Sequence, residues 1–268
     1  MNVDVDGRSV LITGAARGLG LAYARYLADR GARVVLSDID AAEVRQAADA
    51  LPNGVALPCD VSEWDAAGQL VADAEERVGP LDAVINNAGI FHVATVADET
   101  MERVRRSLEV NLLGTVAVAH HALRRMTARR TGVVVNTTSK SFVGMAGMGT
   151  YGATKAAIVA LTRAWSLDLA DAGVAVVAFA PKAYTRMSTV RGVETPDRNR
   201  PPDRVAPVIA GLLCADPRSI NGAVLGYDGN ELVVAHPPLI ARVAEGDGAG
   251  IAELVASGAF APGAGMTH

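Results

Sequence analysis

The sequence predicts one α/β domain, a doubly wound parallel sheet of about seven strands with helices on both faces. Short β-branched runs alternate with longer Ala-rich stretches through most of the 268 residues. Strict β-α alternation closes most readily as a parallel sheet with right-handed crossovers. Half the residues are apolar but only 4% are aromatic, a mixture suited to helices lying close on a buried sheet. No linker or compositional break divides the chain, so 1–268 reads as a single domain.

Ser9–Thr13 reads as the first strand, followed by a Gly-rich turn and a helix over about Leu19–Arg30 that Gly31 closes. Val34–Ser37 and Val55–Pro58 read as the second and third strands, with a helix over Ala41–Ala50 between them. Ser62 is placed to cap a helix reaching about Val78. Asp82–Asn86 is the fourth strand, a long helix covers about Thr100–Arg130, and Val133–Asn136 is the fifth strand. A helix over Tyr151–Ala170, a strand over Val174–Ala180, a helix near Asp203–Ala215 and a last strand near Ala223–Gly226 complete the alternation. Residues 188–202 are polar and Pro-rich, which suits a flexible loop beside a substrate. The tail after Gly229, including 236–268, shows no clear period.

Composition narrows the function. A net charge of −4 argues against nucleic acid or an anionic membrane as the main partner. The run Arg124-Arg125 with Arg129-Arg130 is short and reads as a solvated helix end. Cys59 and Cys214 are far apart and share no ligand spacing, so free thiols are expected, with no metal site and no disulfide. The N-terminus lacks an apolar signal core and no apolar run approaches 18 residues. The expectation is a cytoplasmic protein without a membrane span.

The first strand ends in Thr13-Gly14-Ala15-Ala16-Arg17-Gly18-Leu19-Gly20. Glycines there let the backbone turn tightly and approach a pyrophosphate, while the helix that follows aims unpaired N–H groups and its positive dipole end at the same phosphates. Asp38, at the end of the second strand about 20 residues on, can accept bonds from the adenosine ribose hydroxyls. Its other reading is an N-cap for the helix starting near Ala41. Together these features predict a dinucleotide site.

Further on, Tyr151 and Lys155 stand at i and i+4 and so project from one helix face. A phenol with a pKa near 10 is a poor acid or base at neutral pH, and an ammonium beside it stabilises the phenolate. The chain has 25 basic residues, of which only Lys140, Lys155 and Lys182 are lysines. A chain that otherwise chooses arginine keeps a compact ammonium at this position.

The T-G-x-x-x-G-x-G spacing, Asn86-Asn87-Ala88-Gly89 after the fourth strand, and Tyr151-x-x-x-Lys155 together resemble the short-chain dehydrogenase/reductase family over about residues 7–235. The resemblance implies a Rossmann-like fold and reversible oxidoreduction between a secondary alcohol and a carbonyl. It assigns Asp60-Val61 to the adenine, and Asn87, Ala88 and Gly89 to the adenosine ribose and the close passage of the backbone. Pro181, Ala183 and Thr185 fall on the loop that meets the nicotinamide. Asn111, in Val-Asn-Leu-Leu-Gly, matches an asparagine that holds a water linking the lysine to solvent.

The family's active-site hydroxyl falls on Thr138 when counted back from Tyr151 and on Ser139 when the strand end is aligned; the strand alignment favours Ser139. Asp38 and Arg17 pull cofactor choice in opposite directions. A ribose 2′-phosphate would meet the Asp38 charge, which favours NAD over NADP. Lys182 stands where most relatives carry glycine. Ala183–Met187 is similar to relatives acting on hydroxyacyl thioesters. His92 either reaches the substrate or is an ordinary loop histidine. The helices over 100–130 and 151–170 are apolar on more than one face, which predicts a homodimer or homotetramer. The expected activity is thus an NAD-dependent dehydrogenase with Tyr151 as acid/base. The alternative is a dinucleotide-binding partner subunit or sensor with little turnover, suggested by the shifted serine and Lys182.

Overall fold

The computed structural model describes residues 4–185, 187 and 200–235. Eight strands form one sheet in the order β3-β2-β1-β4-β5-β6-β7-β8. These are β1 Ser9–Thr13, β2 Arg33–Ser37, β3 Gly54–Ala56, β4 Ala83–Asn86, β5 Gly132–Thr137, β6 Val174–Pro181, β7 Val224–Tyr227 and β8 Leu232–Val234. All pairings through β7 are parallel, and β8 lies antiparallel to β7.

The helices are α1 Gly18–Ala28, α2 Ala41–Asp49, α3 Trp64–Val78, α4 Met101–Ser107, α5 Gly114–Arg129, α6 Gly149–Asp168, α7 Ala206–Cys214 and α8 Pro217–Ile220. Successive side chains of a strand face opposite sides of the sheet, and the core divides accordingly. Val10, Ile12, Leu36 and Phe179 pack with Tyr23 and Leu27 of α1 and Ile209 of α7. Leu11, Val35, Val84 and Val134 pack with Leu70 of α3 and Val118 and Met126 of α5. The strand order reverses between β1 and β4, and ligands of open α/β sheets bind at such a switch point, beyond the carboxyl ends of the strands.

Three local expectations change. Ser62 does not cap α3; Glu63 precedes that helix and makes no side-chain cap, while the Ser62 hydroxyl donates to the Asp60 carboxylate at 2.6 Å. The long helix over 100–130 is broken. Thr100 caps α4 by accepting from the Arg103 amide, a π-turn over Leu108–Leu113 follows, and α5 begins at Gly114. The stretch after Gly229 holds an eighth strand. There the Asp228 carboxylate accepts from the amides of Asn230 and Glu231, both at 3.0 Å, turning the chain back onto β7.

The compact unit of the described residues ends at Ala235. The tail 236–268 and residues 188–199 of the expected substrate loop lie outside the described residues. Near the ends of that loop the Tyr184 amide donates to the Arg200 carbonyl at 2.7 Å. Among the described residues no helix is long and apolar enough to cross a membrane.

Candidate active site

A cleft of about 600 Å³ opens over the carboxyl ends of the strands, and every site residue singled out from the sequence lines it except Gly20, Asn111 and His92. The turn after β1 explains the glycines. Gly14 has φ +62°, and a Cβ there would stand 2.7 Å from the Ala88 Cα, so only glycine lets the two chain segments meet. Asn87 clasps the turn from the other side, its Nδ2 donating to the carbonyls of Thr13 and Gly14 at 3.0 and 2.9 Å. The Thr13 hydroxyl accepts from the amides of Asn87 and Ala88, both at 3.1 Å. Gly20 acts in packing: a Cβ on it would lie 2.3 Å from the Gly14 carbonyl oxygen. α1 starts without a side-chain cap, and Gly18 and Leu19 of its first turn face the cleft. An uncapped helix start beside a glycine turn fits a pyrophosphate.

One end of the cleft is rich in paired charges. Asp38 does not cap α2; that task falls to Asp40, which accepts from the Glu43 amide at 3.0 Å. Asp38 instead accepts from the Ala16 and Asp40 amides, both at 3.2 Å. Arg17 is ion-paired to Glu43, and Glu43 itself lines the cleft. Asp60 accepts from Ser62 and, at 3.2 Å, from the Arg106 guanidinium. Partial burial works against its charge, but the bonds from Ser62 and then Arg106 outweigh that and hold the carboxyl below its ordinary value. Burial, and then the Asp60 charge, pushes the neighbouring Cys59 thiol up to about 11, so it stays protonated. Glu43 and Arg106 were not found in the sequence, because both act through long-range pairs that no local spacing reveals.

At the other end Tyr151, Lys155 and Ser139 converge. Tyr151 and Lys155 lie on one face of α6 and are buried, with the Lys155 Nζ 5.5 Å from the centre of the phenol ring. That ammonium donates to the Thr137 carbonyl at 2.9 Å. Burial lowers the Lys155 pKa to about 8. Sequence reasoning expects the Tyr151 phenol to be lowered as well; the structure reverses the sign. Burial pushes it up to about 12, opposed by a hydrogen bond with the Ser139 hydroxyl. The two candidate hydroxyls separate cleanly. Ser139 reaches the phenol and also accepts from the Ser141 amide at 3.2 Å. Thr138 is buried and donates to the Lys155 carbonyl at 2.9 Å.

Asn111 sits in the π-turn, fully buried. Its Oδ1 accepts from the Ile90 amide at 2.7 Å and its Nδ2 donates to the Ile90 carbonyl at 3.0 Å. The side chain thereby holds the segment after β4 against the π-turn, and its Nδ2 also lies 3.4 Å from the Thr154 hydroxyl of α6. Below the site Asn86, Asn136 and Thr162 form a buried chain of bonds at 2.9 and 3.1 Å, tying β4 and β5 to α6. Ile90, Phe91, Met148 and Met187 supply an apolar wall and Lys182 an exposed cation. Phe91 meets the Tyr151 ring edge-on at 4.8 Å. His92 does not line the cleft; it bonds to both carboxylate oxygens of Glu99 at 3.0 Å.

Comparison with known proteins identifies the family. The family model described as short chain dehydrogenase matches residues 8–194. A cis-4-hydroxycyclohexanecarboxylate dehydrogenase of Sinomonas cyclohexanicum is 35% identical over 85% of this chain and 97% of its own length. A meso-2,3-butanediol dehydrogenase of Serratia marcescens is 35% identical over 84% of this chain and 94% of its own. The crystal structure of a short chain dehydrogenase from Mycobacterium avium superposes with a TM-score of 0.79 at 33% identity, covering 95% of each chain. The chain is an oxidoreductase of the short-chain dehydrogenase/reductase family.

Proposed function

We propose that the protein is an NAD-dependent dehydrogenase that interconverts a secondary alcohol and a carbonyl, with Tyr151 as general acid and base. The observation that carries this reading is the convergence of Tyr151, Ser139 and Lys155 at one end of a cleft whose other end suits a dinucleotide. When bound, the nicotinamide supplies the hydride chemistry. Ser139 holds the substrate oxygen through its hydroxyl, and Tyr151 takes the alcohol proton during oxidation or returns it during reduction. Lys155 holds the nicotinamide ribose and supplies positive charge beside the phenol. Asn111 keeps the segment after β4 in register with α6 and supports the water link to Lys155. The relatives named above are dehydrogenases of a cyclic hydroxy acid and a diol, which supports an alcohol substrate. The Ala183–Met187 motif makes hydroxyacyl thioesters one class to include in a screen.

The charges at the adenosine end support NAD over NADP. A 2′-phosphate would meet both Asp38 and Glu43, and Arg17, beside them, already pairs with Glu43. A homodimer or homotetramer is proposed on the groove between α5 and α6, where Val116, Leu123, Trp165 and Leu169 lie among the polar His120, Arg124, Thr127 and Asp168, beside exposed Leu167. Sedimentation as a monomer at micromolar concentration contradicts it. The activity itself is tested by oxidation of secondary alcohols and hydroxyacyl thioesters with NAD and NADP, in wild type and Tyr151→Phe.

A further inference from the structure

We propose that Glu99 is a positioning residue for Tyr151, holding it from one side through Thr150 and from the other through His92 and Phe91. The inference rests on Tyr151 being the acid/base residue.

The first turn of α6 needs such support. Met148, at its N-cap, makes no side-chain cap, and Gly149 has open space around it. A helix start of this kind frays readily. Thr150, immediately before Tyr151, donates its hydroxyl to the Glu99 carboxylate at 2.5 Å. A bond to an ionised acceptor is about twice as strong as a neutral one. The bonds from Thr150 and then His92 keep the Glu99 carboxyl below its ordinary value, so the acceptor is charged at neutral pH. Its charge also lies near the positive end of α6.

The same carboxylate grips the opposite wall. The His92 Nε2 stands 3.0 Å from both of its oxygens, which requires the ring proton on Nε2. The His92 Nδ1 is 3.5 Å from the Ser107 hydroxyl of α4. Phe91, one residue earlier, packs edge-on against the Tyr151 ring. Two residues after His92, the Ala94 amide donates to the Gly147 carbonyl at 3.0 Å. One carboxylate thus joins the segment after β4 to the helix turn that carries the phenol, and it fixes both the helix start and the ring that packs on Tyr151.

The test places 3-fluorotyrosine throughout the chain and reads fluorine NMR, with the Tyr151 resonance identified by its absence in Tyr151→Phe. A single sharp Tyr151 resonance is expected in wild type and in Glu99→Gln, which keeps an acceptor. Glu99→Ala and Thr150→Val are expected to broaden, split or shift it. In parallel, reduction of butane-2,3-dione by NADH should lose about 10- to 100-fold in kcat in Glu99→Ala, with KM for NADH within twofold and most of the loss recovered in Glu99→Gln. Adding Thr150→Val to Glu99→Ala should cost little more, because both changes remove the same bond. An unchanged Tyr151 resonance in Thr150→Val and Glu99→Ala overturns the proposal, as does a kcat loss matched by equal loss of NADH binding. If Tyr151→Phe keeps turnover, the acid/base reading fails. If Tyr151→Phe is inactive and Glu99→Ala is not, only the positioning role fails.

Discussion

The Lys155 ammonium stands 5.5 Å from the centre of the Tyr151 ring and gives its hydrogen bond to the Thr137 carbonyl. Lysine and phenol are therefore neighbours in one buried pocket, and burial acts on both. It lowers the lysine to about 8 and raises the tyrosine to about 12. The neutral form of each is favoured, so keeping the lysine charged costs stability.

That cost is measurable. Between about 8 and the ordinary lysine value of 10.5, the folded chain holds fewer protons than the unfolded one. Stability tied to Lys155 therefore rises with pH through this window, and the cost is present in full below about 8. Lys155→Met removes it and loses the bond to Thr137, worth about 1 kcal/mol. The variant should unfold in urea with about 2 kcal/mol more stability than wild type at pH 7, and the gain should shrink towards pH 10.5. A gain that does not change with pH contradicts this.

Ser139 and Thr138 should behave differently. The Ser139 bond is the effect that opposes the burial shift of the phenol, so Ser139→Ala should move the ascending limb of the oxidation rate profile to higher pH as well as lower kcat. Thr138→Val removes a buried bond to the Lys155 carbonyl, which should cost about 1 kcal/mol of stability and leave that limb in place. Initial rates from pH 8 to 12, with urea unfolding of each variant, distinguish the two.

The proposed preference for NAD rests in part on Arg17 being occupied by Glu43. Glu43→Gln frees its guanidinium. An exposed pair is worth less than about 1 kcal/mol, so NADPH affinity should rise about two- to fivefold. Asp38→Ser should raise it further by removing the facing charge. Tighter binding of NADPH than NADH by the unaltered protein, measured by fluorescence titration, contradicts the assignment.

Gly14 has no room for a side chain. At φ +62° and with Ala88 backbone 2.7 Å from the new Cβ, Gly14→Ala should destabilise the fold by at least about 1–2 kcal/mol and abolish dinucleotide binding. Thermal unfolding with and without NADH checks both.

Much of the fold is legible in the sequence because a parallel α/β sheet imprints a simple alternation on the chain. The glycine turn, Asp38 and the Tyr151–Lys155 pair are legible for the same reason: their chemistry depends on local spacing. β8 is not, since its three residues are exposed and form a strand only by pairing with β7. The π-turn around Asn111 is hidden within a run of helical period. The partners of the site, Glu43 for Arg17, Arg106 for Asp60 and Glu99 for Thr150, arise from tertiary contacts up to 51 residues apart. The sign of the Tyr151 shift belongs to the same class, because spacing places the ammonium but does not report burial.

The central claim is that Tyr151 moves the proton and contributes little to the hold on the dinucleotide. The most direct test measures NADH binding and alcohol oxidation side by side in Tyr151→Phe. The expected result is NADH affinity within about threefold of wild type and turnover reduced by at least about a hundredfold. Turnover within a few-fold of wild type would contradict the assignment of Tyr151 as the acid/base residue.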